Sequence, residues 1–509
     1  MKLAELCSYL EGAQYHGPRD FDGEITGITC DSRKVVRGNL FIAVPGTHAD
    51  GHGFINEAIG RGAAAVVTEK MVHLPENVPH ILVPSSAIAV ARLASGFYGE
   101  PSKKLSIVGI TGTNGKTTTS YLLRSILRAS GKKVGLIGSI SYHVGDKLVG
   151  STHTTPDAIA LHRLFREMVD AGATHVVMEV SSHALAQHRT HGIEFRGAVF
   201  TNLTMDHLDY HLNLSNYREA KAKLFRDLSA EAFTVLNRDD NASMYFSLQT
   251  RARTFWYSLY DKSEVRIRLV DMRLSGMDVR LSSGREEVVV STKLVGDHNI
   301  RNILAASTAA LALGVSLADV KDGIELMTLV PGRLERVGAV DGYAVFVDYA
   351  HTPDALESVL IALRPLVENR LLLVFGCGGD RDRGKRPMMG RVGERFSDYM
   401  WVTSDNPRTE NPASIAKDIE KGITGEAYRV ELDRRSAIET AIHEAGKGDV
   451  VLIAGKGHEA TQVFSDKVVS FDDREVVREV LLRRCRVSDT VVDGAASKKE
   501  EMPTGSSFV

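Results

Sequence analysis

The stretch Gly109-Ile110-Thr111-Gly112-Thr113-Asn114-Gly115-Lys116-Thr117-Thr118 restricts the fold of this chain more than any other. It stands between a continuous apolar run at 105–110 and a helical pattern at about 116–129, which leads to a second apolar strand at 133–137. Strand, glycine loop, helix and strand form the unit from which parallel, doubly wound sheets are built. The glycines let the loop turn its backbone N–H groups towards phosphate oxygens at a helix N-terminus, whose dipole favours anions. Lys116 is placed to neutralise β and γ oxygens, and a Thr hydroxyl to hold Mg2+. The common spelling of such a loop has a glycine five residues before Gly115, where this chain has Ile110. A tight turn with an exposed lysine is the plainer alternative. Gly-Lys-Thr-Thr directly behind an apolar strand favours a nucleoside triphosphate site.

The chain has 509 residues, which at roughly 150 per domain leaves room for about three domains. Breakers without periodicity at 98–104 put one boundary near Lys103, and Pro331-Gly332-Arg333 marks a second. The expected architecture is α/β with an N-terminal domain at 1–103 and a central P-loop-type doubly wound sheet at 104–332. A Rossmann-like α/β domain follows at 333–486, where apolar strands at 344–348, 370–375, 399–403 and 450–454 alternate with helices. Residues 487–509 are polar without periodicity and read as a disordered tail. Lys and Arg number 62 and Asp and Glu 64, a net charge of −2, so no bulk positive face points to nucleic acid. Cys7, Cys30, Cys377 and Cys485 form no C-x-x-C pair, which indicates neither a zinc ribbon nor a disulfide framework. The start of the chain lacks the apolar core of a signal peptide, and no apolar run approaches the roughly 18 residues of a membrane span. A cytoplasmic protein without a membrane span is expected.

Several residues outside the loop carry chemistry. Glu179 ends an apolar strand, where a carboxylate can reach an ion at the carboxyl edge of a sheet or simply cap a turn. His207 follows the strand at 197–201, and no His-Glu-x-x-His pattern includes it. The segment 215–228 reads as a helix starting at a Ser cap, with Tyr217, Ala220, Leu224, Phe225 and Leu228 on one face. Lys221 falls on that face and Lys223 does not. Lys221 either snorkels out along its aliphatic stem or is a buried, neutral and nucleophilic amine. Asp405-Asn406-Pro407-Arg408 follows the strand at 399–403, with Pro407 restricting the backbone beside Arg408. A guanidinium there can bind a carboxylate through two parallel hydrogen bonds, or be a solvated arginine in an Asn-Pro turn. Thr352-Pro353 reads as a helix start. Ser181-Ser182-His183 lacks a G-x-S-x-G elbow and offers no triad spacing, so a hydrolase is rejected.

Gly112-Thr113-Asn114-Gly115-Lys116-Thr117-Thr118 resembles the phosphate loop of the Mur ligases, the ATP-dependent amide-forming enzymes of peptidoglycan synthesis. The resemblance covers nearly the whole chain except the tail. Glu179-Val180-Ser181-Ser182-His183, Thr201-Asn202-Leu203-Thr204-Met205-Asp206-His207, Ala220-Lys221 and Asp297-His298-Asn299-Ile300-Arg301-Asn302 follow in the family's order. Pro331-Gly332-Arg333 and Asp348-Tyr349-Ala350-His351 complete the series. The resemblance implies a ligase acting through an acyl phosphate, with ATP as co-substrate and two Mg2+ ions. It places Thr117, Glu179, His207 and Lys221 around the metal, with Lys221 as a CO2-derived carbamate, and makes Lys116, Glu179, His207 and Lys221 the catalytic group. Asn302, Arg333, Asp348 and His351 would join the loop in contacting the nucleotide. Cys30, Ser32, Thr47, His48 and Ala49 resemble contacts to a uridine diphosphate. His153, Thr154, Thr155, Ser181, Gln187 and Arg189 resemble contacts to a muramoyl dipeptide, His153 standing where the family often has Asn.

Within the family the resemblance is to the branch that adds the third stem residue to UDP-N-acetylmuramoyl-L-alanyl-D-glutamate. Asp405-Asn406-Pro407-Arg408 resembles the mark of members adding meso-diaminopimelate, with Arg381, Gly455 and Glu459 similar to the rest of that pocket. L-lysine or ornithine as the added amino acid, and a catalytically inactive nucleotide-regulated scaffold, are the alternatives. Lys116, Glu179, His207 and Lys221 are all present, which a decayed site would not be expected to keep. The implied setting is cell-wall biogenesis, with its bearing on cell shape and division, and the chain is expected to act as a monomer.

Overall fold

The computed structural model describes residues 1–18, 23–46, 49–261 and 263–496. It is α/β throughout, with three domains each built on a sheet of mostly parallel strands. The chain divides into two compact units: Met1–Arg268 with Arg280–Val290 and Arg301–Met327, and Leu269–Val279 with Ser291–Ile300 and Thr328–Val509.

In the first unit, the N-terminal sheet runs in the order Gln14–His16, His80–Leu82, Ala65–Thr68, Asn39–Ile42, Gly27–Thr29, parallel except for its first strand. Asn39–Ile42 and Ala65–Thr68 are buried at every position, as strands covered on both faces must be. Helix Ser86–Phe97 covers one face through Ala89, Val90, Leu93 and Ala94. Ile55 and Ala58 cover the other over Phe41 and Val66.

The central sheet has eleven strands, and its middle is parallel in the order Arg253–Tyr257, Phe233–Asn237, Phe195–Phe200, Ser106–Thr111, His175–Glu179, Val134–Ile137. Ser106–Thr111 lies in the middle, with Glu179 opposite Ile110 on one side and Phe200 opposite Thr111 on the other. The phosphate loop, Glu179 and Thr201 therefore leave the sheet at one carboxyl edge, where open α/β sheets gather ligands. Helix Lys116–Ala129 anchors the loop by burying Leu122, Leu123, Ile126 and Leu127, each worth about 2 kcal/mol of apolar burial. Gly323 lets a second helix, Leu317–Leu326, approach the Ile126 backbone, and the Ser125 hydroxyl donates to the Gly323 carbonyl at 2.6 Å.

The second unit carries the sheet Glu335–Val340, Tyr343–Asp348, Val450–Ala454, Leu371–Phe375, Tyr399–Val402, Tyr428–Val430, parallel after its opening hairpin. Separate apolar cores fill its two faces, one around Phe346, Leu373 and Leu452, the other around Val345, Val374 and Trp401. Thr352 caps helix Pro353–Leu363, with Pro353 at its first position.

Three expectations change. The helix read from Ser215 is Leu214–Arg226, capped by Asn213, whose side chain accepts the Asn216 N–H at 2.8 Å. The helix that carries Asn302, which the sequence alone suggests begins at Asn302 itself, begins at Asp297, an acidic first turn that suits the helix dipole. The final helix runs Asp473–Ala496 and so continues past 486, because extending an existing helix costs less than nucleating one. Residues 497–509 lie outside the described residues. No helix among the described residues is long and apolar enough to cross a membrane.

Candidate active site

The phosphate loop is shaped by its neighbours as much as by its glycines. Gly112 and Gly115 have φ of 149° and 84°, and a Cβ on either would strike the Thr201 hydroxyl or the Asn302 side chain respectively. Asn202 holds the loop from below: its side-chain oxygen accepts the Asn114 N–H at 2.9 Å and its amide donates to the Asn114 carbonyl at 3.1 Å. The Asn202 carbonyl also accepts the Thr113 N–H at 2.8 Å. Lys116 folds back over the loop, donating to the Gly112 and Thr113 carbonyls at 3.0 and 2.7 Å. The Thr119 hydroxyl bonds Asn302 at 3.3 Å, so Asn302 stands beside the start of the loop's helix.

Glu179 is fully buried, yet its carboxylate is wholly engaged by polar groups. One oxygen accepts the Ser139 N–H at 2.9 Å; the other accepts the hydroxyls of Thr117 at 3.1 Å and Ser139 at 3.2 Å. Ser139 in turn bonds Thr154 at 2.9 Å. The Thr155 hydroxyl donates to the Glu179 carbonyl at 2.9 Å and accepts the Ser181 N–H at 3.0 Å. Arg189 donates to the Thr155 carbonyl at 2.9 Å and grips Gln187 through Nε and Nη2 at 3.0 and 2.6 Å. Thr154, Thr155, Ser181, Gln187 and Arg189 thus form one polar cluster around the buried carboxylate. His153 is exposed, and its carbonyl accepts the Tyr142 hydroxyl at 2.6 Å.

Lys221 is 1% exposed, so it does not snorkel. Its Nζ donates to the Gly112 carbonyl at 2.9 Å and lies 4.5 Å over the Tyr217 ring. The side-chain nitrogens of Lys116 and Lys221 therefore share one carbonyl oxygen. Burial, reinforced by the Lys116 charge and opposed by Asp206, pushes the Lys221 amine well below its ordinary range. Lys223, on the adjoining face, reaches only the Leu185 carbonyl at 3.5 Å. His207 has a left-handed φ of 55° and packs edge-on against His183 at 4.8 Å between ring centres, with Tyr217 at 6.1 Å. In the N-terminal domain, Cys30 and Ala49 are exposed, while buried Ser32 donates to Glu57 at 2.7 Å. Thr47 and His48 lie outside the described residues.

In the second unit Asp348 closes its strand with one oxygen accepting the Leu334 N–H at 2.5 Å and the other the Ala350 N–H at 2.7 Å. Burial raises its pKa and the Arg333 charge opposes the rise. Arg333 stacks on Tyr349 at 4.4 Å, and the His351 ring meets the same tyrosine at 4.6 Å. The carboxyl end of Tyr399–Val402 delivers Asp405, Asn406 and Pro407, all buried, and Arg408, half-buried with φ of 53°. Arg408 Nη1 donates to the Gly379 carbonyl at 2.6 Å, in the loop that carries the exposed Arg381. A Cβ on Gly455 would lie 2.6 Å from the Asp405 carboxylate, so the missing side chain leaves room there. Asn406 donates to Glu459 at 2.8 Å. A short antiparallel hairpin, Thr461–Val463 with Val468–Ser470, walls this group: the Val463 carbonyl accepts the Arg408 N–H at 3.0 Å.

Sequence reasoning passed over Ser139, Asn202, Lys456 and Arg434. Ser139 follows a strand at the same sheet edge as Glu179, and Asn202 lies in a block already singled out, so both were findable by position. Arg434 was not. It is fully buried against Asp473 at 2.7 Å and donates to the carbonyls of Ser404 and Ala454 at 3.3 and 3.0 Å, contacts that only the fold creates.

Three stretches match family descriptions: residues 24–98 the Mur ligase family catalytic domain, 110–310 the Mur ligase middle domain, and 332–457 the Mur ligase glutamate ligase domain. The UDP-N-acetylmuramoyl-L-alanyl-D-glutamate–2,6-diaminopimelate ligase of Geobacillus thermodenitrificans is 44% identical over 492 residues, which is 95% of this chain and 100% of that protein. The ligase of the same name from Solibacter usitatus is 44% identical over 94% of this chain and 98% of its own. A solved structure of a ligase of that name superposes with a TM-score of 0.65 at 34% identity, covering 90% of this chain and 95% of the other. Identity of this extent over 95% of the chain, together with family matches in all three stretches, means that the chain belongs to the Mur ligase family.

Proposed function

We propose that the chain joins meso-diaminopimelate to the D-glutamate of UDP-N-acetylmuramoyl-L-alanyl-D-glutamate at the expense of ATP, in the cytoplasm and as a monomer, for peptidoglycan synthesis. The observation that carries the reading is the pairing of Lys116 and Lys221 on the Gly112 carbonyl, beside a buried carboxylate bonded to Thr117. Such a loop concentrates positive charge where triphosphate oxygens arrive, and phosphoryl transfer needs charge stabilisation more than a side-chain nucleophile.

The D-glutamate carboxylate attacks the γ-phosphorus and ADP leaves. The amino-acid amine then attacks the acyl phosphate, and phosphate departs from the tetrahedral centre. Lys116 swings from the loop carbonyls to β and γ oxygens. Thr117, Glu179, His207 and Lys221 would hold two Mg2+ ions; a buried carboxylate and a threonine hydroxyl are hard oxygen donors that fit this ion. Bound there, Mg2+ offsets charge between the nucleotide and the attacking carboxylate. Lys221, whose amine is pushed well below its ordinary range by burial and by the Lys116 charge, is suited to add to CO2, losing a proton and becoming a carbamate that supplies a further anionic ligand. Its face of the helix and its contact with Gly112 support this role.

Thr154, Thr155, Ser181, Gln187 and Arg189 hold the muramoyl dipeptide beside Glu179, with His153 at the exposed rim. Cys30, Ser32, Thr47, His48 and Ala49 take the uridine diphosphate in the domain at 1–103. The central domain, 104–332, binds the triphosphate with Asn302 at its base. The domain at 333–486 contributes Arg333, Asp348 and His351 to the nucleotide. It also contributes Arg381, Asp405, Asn406, Pro407, Arg408, Gly455 and Glu459 to the amino acid. Arg408 answers the distal carboxylate that lysine and ornithine lack, so those amino acids would leave the guanidinium without its partner. The relatives' printed names agree with this choice.

Phosphate release from ATP, measured with the UDP-dipeptide and a panel of diamino acids, tests the reading. Release that needs both partners and runs fastest with meso-diaminopimelate is expected. Equal use of L-lysine would overturn the choice of amino acid, and absence of release with every amino acid would favour a non-catalytic scaffold.

A further inference from the structure

Lys456 is 0% exposed and has no role assigned so far. Its ammonium spends its donors on three acceptors: the Asn406 side-chain oxygen at 3.2 Å, the Glu459 Oε2 at 3.3 Å and the Thr461 carbonyl at 2.6 Å. This arrangement decides which way the Asn406 amide faces. Its oxygen also accepts the Val463 N–H at 3.0 Å, so its nitrogen is left to donate, and it donates to the same Glu459 Oε2 at 2.8 Å. Lysine, asparagine and glutamate close a triangle in which Oε2 is held twice. The other oxygen, Oε1, has no hydrogen bond among the described residues.

The triangle is tied to Arg408 by the same strand. Val463 donates to Asn406 and accepts from the Arg408 N–H at 3.0 Å, so the carboxylate of Glu459 and the guanidinium of Arg408 are referenced to one backbone segment. An anion and a cation referenced to one backbone segment are complementary to a ligand end that carries both an ammonium and a carboxylate. We propose that Lys456 is a positioning residue: it holds Glu459 with Oε1 presented to the ammonium at the distal end of a diamino dicarboxylic acid whose distal carboxylate meets Arg408. The inference rests on the proposed amino-acid site and adds to it the device that sets its geometry. A buried lysine is suited to the task because its charge cannot be satisfied by water, so its acceptors are held where they are.

The test is steady-state kinetics on the full chain with meso-diaminopimelate, using Lys456→Met, Lys456→Gln, Glu459→Gln and the double variant Lys456→Met/Glu459→Gln. Lys456→Met is expected to raise KM for meso-diaminopimelate about 10- to 100-fold, the cost of loosening one charged hydrogen bond, with a much smaller change in KM for ATP. Lys456→Gln, which keeps a donor, should fall between it and the unmodified chain. If Lys456 acts through Glu459, the double variant is no worse than Glu459→Gln alone. Multiplying losses in the double variant, or equal rises in KM for ATP and the amino acid, would show that Lys456 only supports the fold. Should Lys456→Met fail to fold, Lys456→Gln compared with Glu459→Gln decides the same question. A wild-type chain that does not prefer meso-diaminopimelate over L-lysine would instead refute the underlying site, whatever the variants do.

Discussion

His162 offers a quantitative check on the first unit. It lies in helix Ala158–Asp170, is 0% exposed, stands edge-on to Phe165 at 5.9 Å, and neither ring nitrogen has a hydrogen-bond partner among the described residues. Burial pushes its pKa from 6.5 down to about 4. The unfolded chain therefore accepts a proton that the folded chain refuses. Stability from this residue is complete above about pH 6.5 and is lost as the pH falls towards 4. At ~1.4 kcal/mol per unit, the loss is about 2 kcal/mol by pH 5 and about 3 kcal/mol by pH 4. His162→Leu removes the titration and a buried polar group without breaking any hydrogen bond. At pH 7 it is expected to be as stable as the unmodified chain or about 1 kcal/mol more so. The helix is capped by Asp157, two residues after Thr155, so its opening should disturb the polar cluster around Glu179. Hydrogen exchange of the helix amides at pH 7 and pH 5, with an NMR titration of the His162 ring, measures both quantities. His143, lowered to about 4 by burial and by Arg124 and Arg128, should leave a residual acid slope in the variant. A His162 ring titrating near its ordinary value, or a variant that keeps the full acid loss, would refute the argument.

Lys116→Ala should lower kcat at least about 100-fold while the thermal midpoint hardly moves, and near wild-type turnover would remove the phosphate loop from the mechanism. Lys221→Ala should abolish ligation, with partial recovery in added short carboxylates, whereas Lys223→Ala should stay within a few-fold of the unmodified rate; the reverse pattern would transfer the carbamate to Lys223. Arg408→Ala should raise KM for meso-diaminopimelate about 100-fold with little effect on KM for ATP, and unchanged KM for the amino acid would exclude Arg408 from its pocket.

How much of this was legible depends on the range of the interactions involved. The helix Lys116–Ala129 and the strand Val450–Ala454 follow from local periodicity, and their bounds agree with the reading made from sequence. The face of Lys221 followed from spacing, but its depth did not. Snorkelling and burial differ only in what covers the helix, and that is decided by Tyr217 and the Gly112 carbonyl, the latter 109 residues away in the chain. The Asn213 cap was missed because a serine nearby offered an equally good local cap. Ser139 could have been found from its place behind a strand on the same sheet edge as Glu179, whereas Arg434 was invisible: its partners Asp473, Ser404 and Ala454 come from distant parts of the chain, and the residue type announces no role by itself.

The Thr461–Val463 hairpin stands outside the six-stranded sheet that carries Arg333, Asp348 and His351. Under the proposed assignment the amino-acid pocket is therefore carried by strand ends of the framework and braced by an appendage. The hairpin holds Asn406, Arg408 and Lys456 through its backbone, by the Val463 N–H, the Val463 carbonyl and the Thr461 carbonyl, so its conformation and not its side chains sets these contacts. A change that moves the hairpin backbone, such as a proline or a deletion within 461–463, would therefore disturb the proposed amino-acid pocket without touching the hydrogen bonds of the phosphate loop.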